Sequence, residues 1–213
     1  MLGGSLYLVN NATLTNPLTF GSGIIGGVGT FAPTGGVVIG DLQVVAPGIP
    51  NSYYFNLGSS AVGTLNFGTG LTFASGGTYQ WALGDASGVA GTGWDEILVA
   101  GTLTITSTPA APFFLTIAPV SSSIVFNNGQ YYSWTIASAS TGITGFNPNA
   151  IAIDSTAFTE LGILGSGQFY LTQTGNDLML NFTPVPEPST YALMALGLGV
   201  VAMGLRRRKR QAR

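Results

Sequence analysis

The chain has 213 residues, of which 46% are hydrophobic and only 7% are charged, and glycine accounts for 32 of them. All six Lys and Arg side chains fall within residues 206–213, so residues 1–205 carry eight acidic and no basic side chains, a formal charge of −8. Such an acidic surface repels phosphate groups, which excludes nucleic acid as a partner. The chain has no His and no Cys, so disulfides, thiolate chemistry and the commonest general base are also excluded.

The composition before the tail predicts an all-β fold, because Gly, Thr, Val, Ile and aromatic residues favour strands and turns over helices. Short apolar-alternating runs predict strands over 6–9, 18–20, 28–31, 37–39, 42–45, 53–57, 64–67, 71–73, 78–83, 97–99, 102–106, 113–118, 123–126, 131–137, 151–153, 169–172 and 178–182. Strands this short, with small residues at the corners, favour a Gly/Thr-rich parallel β-solenoid. A β-sandwich is the alternative.

One stretch in the middle of the chain carries a family resemblance. Residues 93–105 read GWDEILVAGTLTI, and within them Leu103 and Ile105 share one face of a half-buried strand. This pattern resembles autotransporter-associated β-strand repeat proteins, over about residues 60–182. The resemblance implies a right-handed parallel β-helix with a structural or adhesive role.

The last predicted strands form a hairpin over residues 168–182. Gly175 and Asn176 between the two alternating runs are typical of a tight two-residue turn, since Gly adopts positive φ without steric cost. We expect this terminal hairpin to close the open end of the solenoid.

Only carboxylates remain as candidate catalytic groups in the domain. A glycosidase needs two acids about 5–9.5 Å apart, and the candidates are Asp85 with Asp95 or Glu96, and Asp154 with Glu160. Asp95 and Glu96 point to opposite faces of an extended chain, and Asp154 is typical of an Asx or ST turn after a strand. We therefore expect no catalytic residues and no enzyme activity.

The loop over 84–96 is a hypothetical Ca²⁺ site, because it combines carboxylates with Gly-rich backbone carbonyls. It matches no calcium-binding loop pattern, and the simpler interpretation is that Asp95 accepts hydrogen bonds from backbone N–H groups. We expect no metal and no cofactor.

Aromatic side chains offer a possible sugar-stacking platform, formed by Trp81, Trp94, Trp134, Tyr131 and Tyr132. Strand alternation instead places Tyr132 and Trp134 in the core and exposes Tyr131 alone.

The C-terminal stretch has three parts in fixed order. Val185, Pro186, Glu187 and Pro188 lie in a Pro-rich linker over 183–190, where proline keeps the chain extended. An uncharged run over 191–205 predicts a transmembrane helix of about 22 Å, somewhat short of a ~30 Å hydrocarbon core. Its principal side chains are Tyr191, Leu193, Leu196, Leu198, Val200, Val201 and Leu205.

A basic cluster over 206–213 ends the chain, and its consecutive members are Arg206, Arg207, Arg208, Lys209 and Arg210. Because excess positive charge stays on the cytoplasmic side, we expect a cytoplasmic tail and an N-terminal part outside the cytoplasm. A permanent anchor behind a Pro-rich linker, or a buried core helix, is the plainer alternative.

These three parts together resemble a PEP-CTERM sorting signal. The resemblance implies a bacterial exported protein that an exosortase, an integral-membrane transpeptidase-like enzyme, processes near Pro186, Glu187 and Pro188. Glu187 is then a recognition residue for that enzyme. The precursor is expected in the inner membrane, and the mature protein at the cell surface or outside the cell, commonly in association with exopolysaccharide.

Export needs an N-terminal signal, and residues 1–9 lack a basic region and a sufficiently long apolar block. We therefore expect residues 1–182 to be an N-terminally truncated exported domain, or the start to be misplaced. The predicted function is a structural protein of the bacterial surface or extracellular matrix. The alternative is a carbohydrate-binding or carbohydrate-active surface protein.

Overall fold

A computed structural model describes residues 4–19, 21–49, 62–120, 124–185 and 193–198. Across these ranges the chain forms short strands, one 3-10 turn at Pro148–Ala150 and the short helix α1 (Thr156–Glu160). The strands are β1 (Gly4–Leu8), β2 (Thr13–Leu14), β3 (Gly23–Gly27), β4 (Thr30–Phe31), β5 (Val37–Ile39), β6 (Gln43–Pro47), β7 (Thr64–Phe67), β8 (Leu71–Phe73), β9 (Thr78–Leu83), β10 (Glu96–Val99), β11 (Leu103–Ile105), β12 (Phe113–Pro119), β13 (Tyr132–Ala139), β14 (Ile143–Thr144), β15 (Ile151–Asp154), β16 (Gln168–Thr174) and β17 (Asp177–Thr183).

The strands build three sheets that the chain visits in rotation. Sheet 1 has the order β1-β3-β6-β9-β12-β15, sheet 2 the order β16-β17-β13-β10-β7-β4-β2, and sheet 3 the order β14-β11-β8-β5. From β3 to β14 each sheet therefore receives every third strand, and neighbours within a sheet are parallel. The chain winds around one shared interior, which strands such as β5, β7, β8 and β9 face with alternate side chains.

The core consists of columns of in-register side chains from successive turns of the winding. In sheet 1, Val45 pairs with Tyr79 and Tyr79 with Leu115. In sheet 3, Leu103 pairs with Leu71 and is fully buried. The predicted inward orientation of Leu103 and Ile105 is confirmed, since both are buried while Thr104 between them is partly exposed.

The winding ends in an antiparallel hairpin. Strand β17 pairs antiparallel with β13 on one side and with β16 on the other. Thr174 pairs with Asp177 across the predicted two-residue turn, and Gly175 has a φ of 60°, so the predicted hairpin is confirmed. The end beneath it is filled by an aromatic cluster, hereafter the end cluster, of Phe126, Tyr132, Phe158, Phe169 and Phe182.

Three predicted strands have a different outcome. Leu18 and Thr19 are not in a strand, and Val125 forms only an isolated bridge to Asp85. The predicted strand over 53–57 lies outside the described residues. Strand β3 was not predicted, because its sequence GIIGG does not alternate; Gly26 is required there since a Cβ would collide with the carbonyl oxygen of Ala46.

The predicted fold class needs correction. A solenoid followed by one transmembrane helix was predicted, but none of the helices in the described ranges has the length and apolar character that crossing a membrane requires. Near the C-terminus, the described residues 193–198 are helical. The fold is therefore mostly β with parallel sheets, and neither the membrane helix nor the antiparallel β-sandwich is supported.

Candidate functional site

One acidic side chain lies inside the domain. Asp95 immediately precedes β10 and is only 1% exposed. Its Oδ1 atom accepts the backbone N–H of Gly63 at 2.8 Å, and its Oδ2 atom accepts that of Ala82 at 2.9 Å. The backbone carbonyl of Asp95 also accepts the indole N–H of Trp81 at 2.7 Å. Asp95 thus joins the corner between sheets 1 and 2 to the preceding turn of the winding, which confirms that it accepts backbone N–H groups.

Burial determines the electrostatics around this corner. Loss of hydration raises the pKa of the Asp95 carboxyl well above its usual value, although the N–H groups of Gly63 and Ala82 act in the opposite direction. Partial burial, and secondarily the charge of Asp177, raise the pKa of Glu96. In both cases burial is the largest cause of the raised pKa.

The acid pairs that the sequence suggested have other roles. Asp85 Oδ1 accepts the N–H of Ser87 at 2.9 Å in a local turn. Asp154 Oδ1 accepts the hydroxyl of Thr156 at 2.6 Å and its N–H at 3.0 Å, which confirms the predicted turn after β15. The hydroxyl first, and the N–H second, lower the pKa of Asp154. Within the described ranges, no group of three acidic side chains is placed to hold a metal ion. The 84–96 loop therefore contains no such group of acidic side chains.

The aromatic platform is not assembled on the surface. Trp81 and Trp134 are buried with their ring centroids 5.5 Å apart, and the Trp134 indole N–H donates to the carbonyl of Ala86 at 3.0 Å. Tyr132 stacks on Trp134 at 5.1 Å. Tyr131, by contrast, is 74% exposed. The predicted positions of Trp134 in the core and Tyr131 on the surface are confirmed, while Tyr132 is only partly buried against the core.

A cleft of about 330 Å³ lies where the chain leaves the domain. It combines two loops with the residues that directly follow β17, and its lining residues are Asn128, Gly129, Tyr131, Gly165, Ser166, Pro184 and Val185. Sequence reasoning singled out Tyr131 but missed Asn128 and Ser166. The two loops are far apart in the chain, and only pairing of β13, β17 and β16 brings them together.

A second concavity, of about 440 Å³, lies on the outer face of sheet 2. An in-register row crosses it: Thr30 pairs with Asn66, Asn66 with Leu98, and Leu98 with Ser138. Its remaining lining residues include the small residues Gly68, Ala100 and Ser140. Sequence reasoning missed this row, because neighbours in a parallel sheet come from separate turns of the winding.

The predicted sorting residues fall largely beyond the described part of the chain. Val185 is 46% exposed at the cleft, and Leu193, Leu196 and Leu198 are exposed on the 193–198 helix. The other predicted sorting, apolar and basic residues lie outside the described residues, namely Pro186, Glu187, Pro188, Tyr191, Val200, Val201, Leu205, Arg206, Arg207, Arg208, Lys209 and Arg210.

Comparison with known proteins identifies this segment. Residues 184–209 match the family model of the PEP-CTERM protein-sorting motif, PEP_exosort_dom. No curated protein and no solved structure matches the chain, and the resemblance to autotransporter-associated repeats is not shown. The PEP-CTERM signal implies an exosortase-processed protein that is secreted or displayed at the cell surface.

Proposed function

We propose that this chain is a structural protein of the bacterial surface or extracellular matrix, delivered by its sorting signal and acting through the stiffness and shape of its β domain. The observation that carries the proposal is the junction between fold and signal. The last strand, β17, ends at Thr183, and the match to the sorting motif begins at residue 184. Processing near residues 186–188 therefore leaves every strand of the domain intact.

Two features of the domain support a structural role. Its interior is a continuous apolar column in which Phe73 stacks on Phe113 at 4.2 Å and Trp81 packs against Trp134. Its polar interior groups are satisfied by the chain itself, as the Tyr79 hydroxyl, which donates to the Ile136 carbonyl at 3.0 Å, illustrates. A core of this kind makes a rigid body. We propose no catalytic role; three of the acids considered, Asp85, Asp95 and Asp154, accept backbone N–H groups.

Localisation and processing test the proposal together. The chain is expressed in a bacterium with its exosortase-type enzyme and in an otherwise identical strain without it. We expect the protein in the surface or matrix fraction of the first strain, bound to material that polysaccharide-degrading treatment releases. Equal distribution in both strains, or a protein that remains soluble in the medium and contacts no matrix, would contradict the proposal.

Glycan binding is a second candidate, favoured by the groove on sheet 2. Leu98, 37% exposed, provides an apolar patch between the hydroxyl of Ser138 and the amide of Asn66. Neighbouring strands are about 4.8 Å apart, so this row offers regularly spaced contacts to an extended polymer. The lack of basic residues in 1–205 disfavours an anionic polymer and favours a neutral glycan.

A glycan array separates the two candidates. Binding of a neutral glycan by the intact protein, lost in Leu98→Asp and retained in Phe114→Asp on sheet 1, favours the glycan-binding candidate. An array without signal, together with matrix localisation, favours the purely structural role.

A further inference from the structure

We propose that the cleft at the C-terminal end of the domain, with Tyr131 in its lining, is a docking surface for the enzyme that processes the sorting segment. This inference rests on the proposed processing and deepens it. The folded domain then contributes to recognition by the enzyme, in addition to the sorting motif itself.

The cleft is continuous with the sorting segment. The sorting-motif match begins at residue 184, and Pro184 and Val185 are lining residues of the cleft. The opposite side consists of Asn128, Tyr131 and Ser166, which belong to the folded domain. The cleft is therefore shared between the domain and the first residues of the segment that the enzyme recognises.

Only a few residues of chain separate the sorting motif from the end of the domain. An extended residue spans at most about 3.6 Å, so Pro186 lies within about 11 Å of Thr183 at the end of β17. An enzyme that engages Glu187 therefore comes close to the end of the domain. Because stable interfaces with proteins extend over some 20–30 residues a side, the cleft lies within reach of an enzyme that binds the motif.

The side chains that line the cleft are an exposed tyrosine and uncharged polar groups. Tyr131 is 74% exposed, whereas its neighbour Tyr132 stacks on Phe126 at 5.4 Å. A protruding Tyr is a residue type enriched in protein-binding hot spots, and the amide of Asn128 and the hydroxyl of Ser166 add hydrogen-bonding groups beside it. The lining residues carry no charge, so their contact does not depend on the acidic surface of the domain.

The fold also holds the cleft in place. The end cluster packs directly beneath this region, with Phe126 and Phe182 centroids 5.0 Å apart. Asn127 Oδ1 accepts the N–H of Gly129 at 2.9 Å, which fixes the turn before Tyr131. A partner therefore meets a preorganised surface and spends little free energy on ordering it.

Processing rates in cells test the proposal, with the full chain and its exosortase-type enzyme. We expect Tyr131→Ala to slow conversion of precursor to product by about tenfold, the effect of removing an interface aromatic worth about 1.4 kcal/mol. Tyr131→Phe, which keeps the ring, is expected to be processed within about twofold of the unsubstituted rate. Phe114→Ala, a comparable truncation of an exposed aromatic on sheet 1, serves as the control and should leave the rate unchanged.

A spacer provides the second, independent measurement. Ten Gly/Ser residues inserted between Thr183 and Pro184 separate the motif from the cleft, and should slow processing as Tyr131→Ala does. The Tyr131→Ala substitution should then have no further effect in the spacer chain, because the two changes remove one interaction.

The possible results distinguish a failure of the docking surface from a failure of the proposed function. Unchanged processing of Tyr131→Ala, or additive effects of spacer and substitution, overturns the docking surface while the proposed function stands. Equal slowing by Phe114→Ala also overturns it, since the effect is then general to the domain. An unsubstituted chain that is not processed at all overturns both.

Discussion

The backbone N–H of Gly63 donates to the Oδ1 atom of Asp95 at 2.8 Å, across 32 positions of the chain. The second carboxylate oxygen accepts the N–H of Ala82, so one side chain satisfies two backbone donors at the corner of two sheets. Both donors need an acceptor there, because buried N–H groups without one are costly. The corner depends on a side chain that has two acceptors and no donor.

This relationship predicts that Asp95→Asn destabilises the protein. The amide of Asn has one acceptor, and its NH2 group then faces a backbone N–H, so we expect a loss of about 1–3 kcal/mol in the free energy of unfolding. Urea titration of the purified protein measures it. Asp85→Asn is the matched control, since Asp85 lies in an exposed turn and its change should cost no more than about 0.5 kcal/mol. Equal effects of the two changes would show that the buried carboxylate has no special role.

A second prediction concerns pH. The pKa values of Asp95 and Glu96 are raised by burial, so over the range above about pH 4 the folded protein holds more protons than the unfolded chain. Stability should therefore increase as pH falls from 8 toward 5, and the contribution is fully present below about pH 4. The pKa of Asp154 is lowered, so this exposed group contributes stability that is lost as the pH falls.

Urea midpoints between pH 5 and 8 measure this dependence. The urea midpoint should depend less steeply on pH in Asp95→Asn, since that change removes a titrating group. Because burial also raises the pKa of Tyr79, stability should fall further once the pH exceeds about 10. A midpoint that decreases steadily from pH 8 to pH 5 would contradict the expected sign.

A third prediction separates core from surface aromatics. Trp134→Ala should lower the free energy of unfolding by about 3–5 kcal/mol, because it opens a cavity beside Trp81 and removes the bond to Ala86. Tyr131→Ala should change it by no more than about 0.5 kcal/mol. Thermal and urea unfolding measure both variants. A large loss for Tyr131→Ala would place that ring in the core.

A fourth prediction concerns two glycines with positive φ. Gly145 has a φ of 74°, and a Cβ there would collide with the carbonyl oxygen of Ile105. Gly35 has a φ of 95° and open space around it. Gly35→Ala should therefore cost only about 1–2 kcal/mol, while Gly145→Ala should cost roughly 1–3 kcal/mol more from overpacking. Identical unfolding midpoints for the two variants would contradict the close approach of the two turns.

The sequence predicted those features that a local pattern encodes. Alternation along 102–106 predicts the burial of Leu103 and Ile105, and the Gly175-Asn176 pair predicts the hairpin turn. Alternation also distinguishes Tyr131 from Trp134. In each case the information lies within a few neighbouring residues, and the structure confirms it.

Features that depend on separate turns of the winding were not predictable in the same way. Asn128 and Ser166 meet Tyr131 at the cleft only after β13 and the terminal hairpin pair. The row of Thr30, Asn66, Leu98 and Ser138 needs the register of four strands. Strand β3 was missed because its glycines, which close packing demands, remove the alternation that signals a strand.

The apolar run near the C-terminus predicts a membrane-spanning helix over 191–205. None of the helices in the described ranges has the length and apolar character that this requires. The motif pattern was more informative than the apolar run, because the order of Pro-Glu-Pro, apolar and basic parts coincides with the sorting-motif match at 184–209.

The C-terminal mass of the protein, isolated from cells with and without the exosortase-type enzyme, tests the proposed processing most directly. We predict a chain from the first strain that ends near Pro186, Glu187 and Pro188 and lacks Arg206 to Arg213, and an unprocessed chain from the second. A protein that keeps Arg213 in both strains would contradict it.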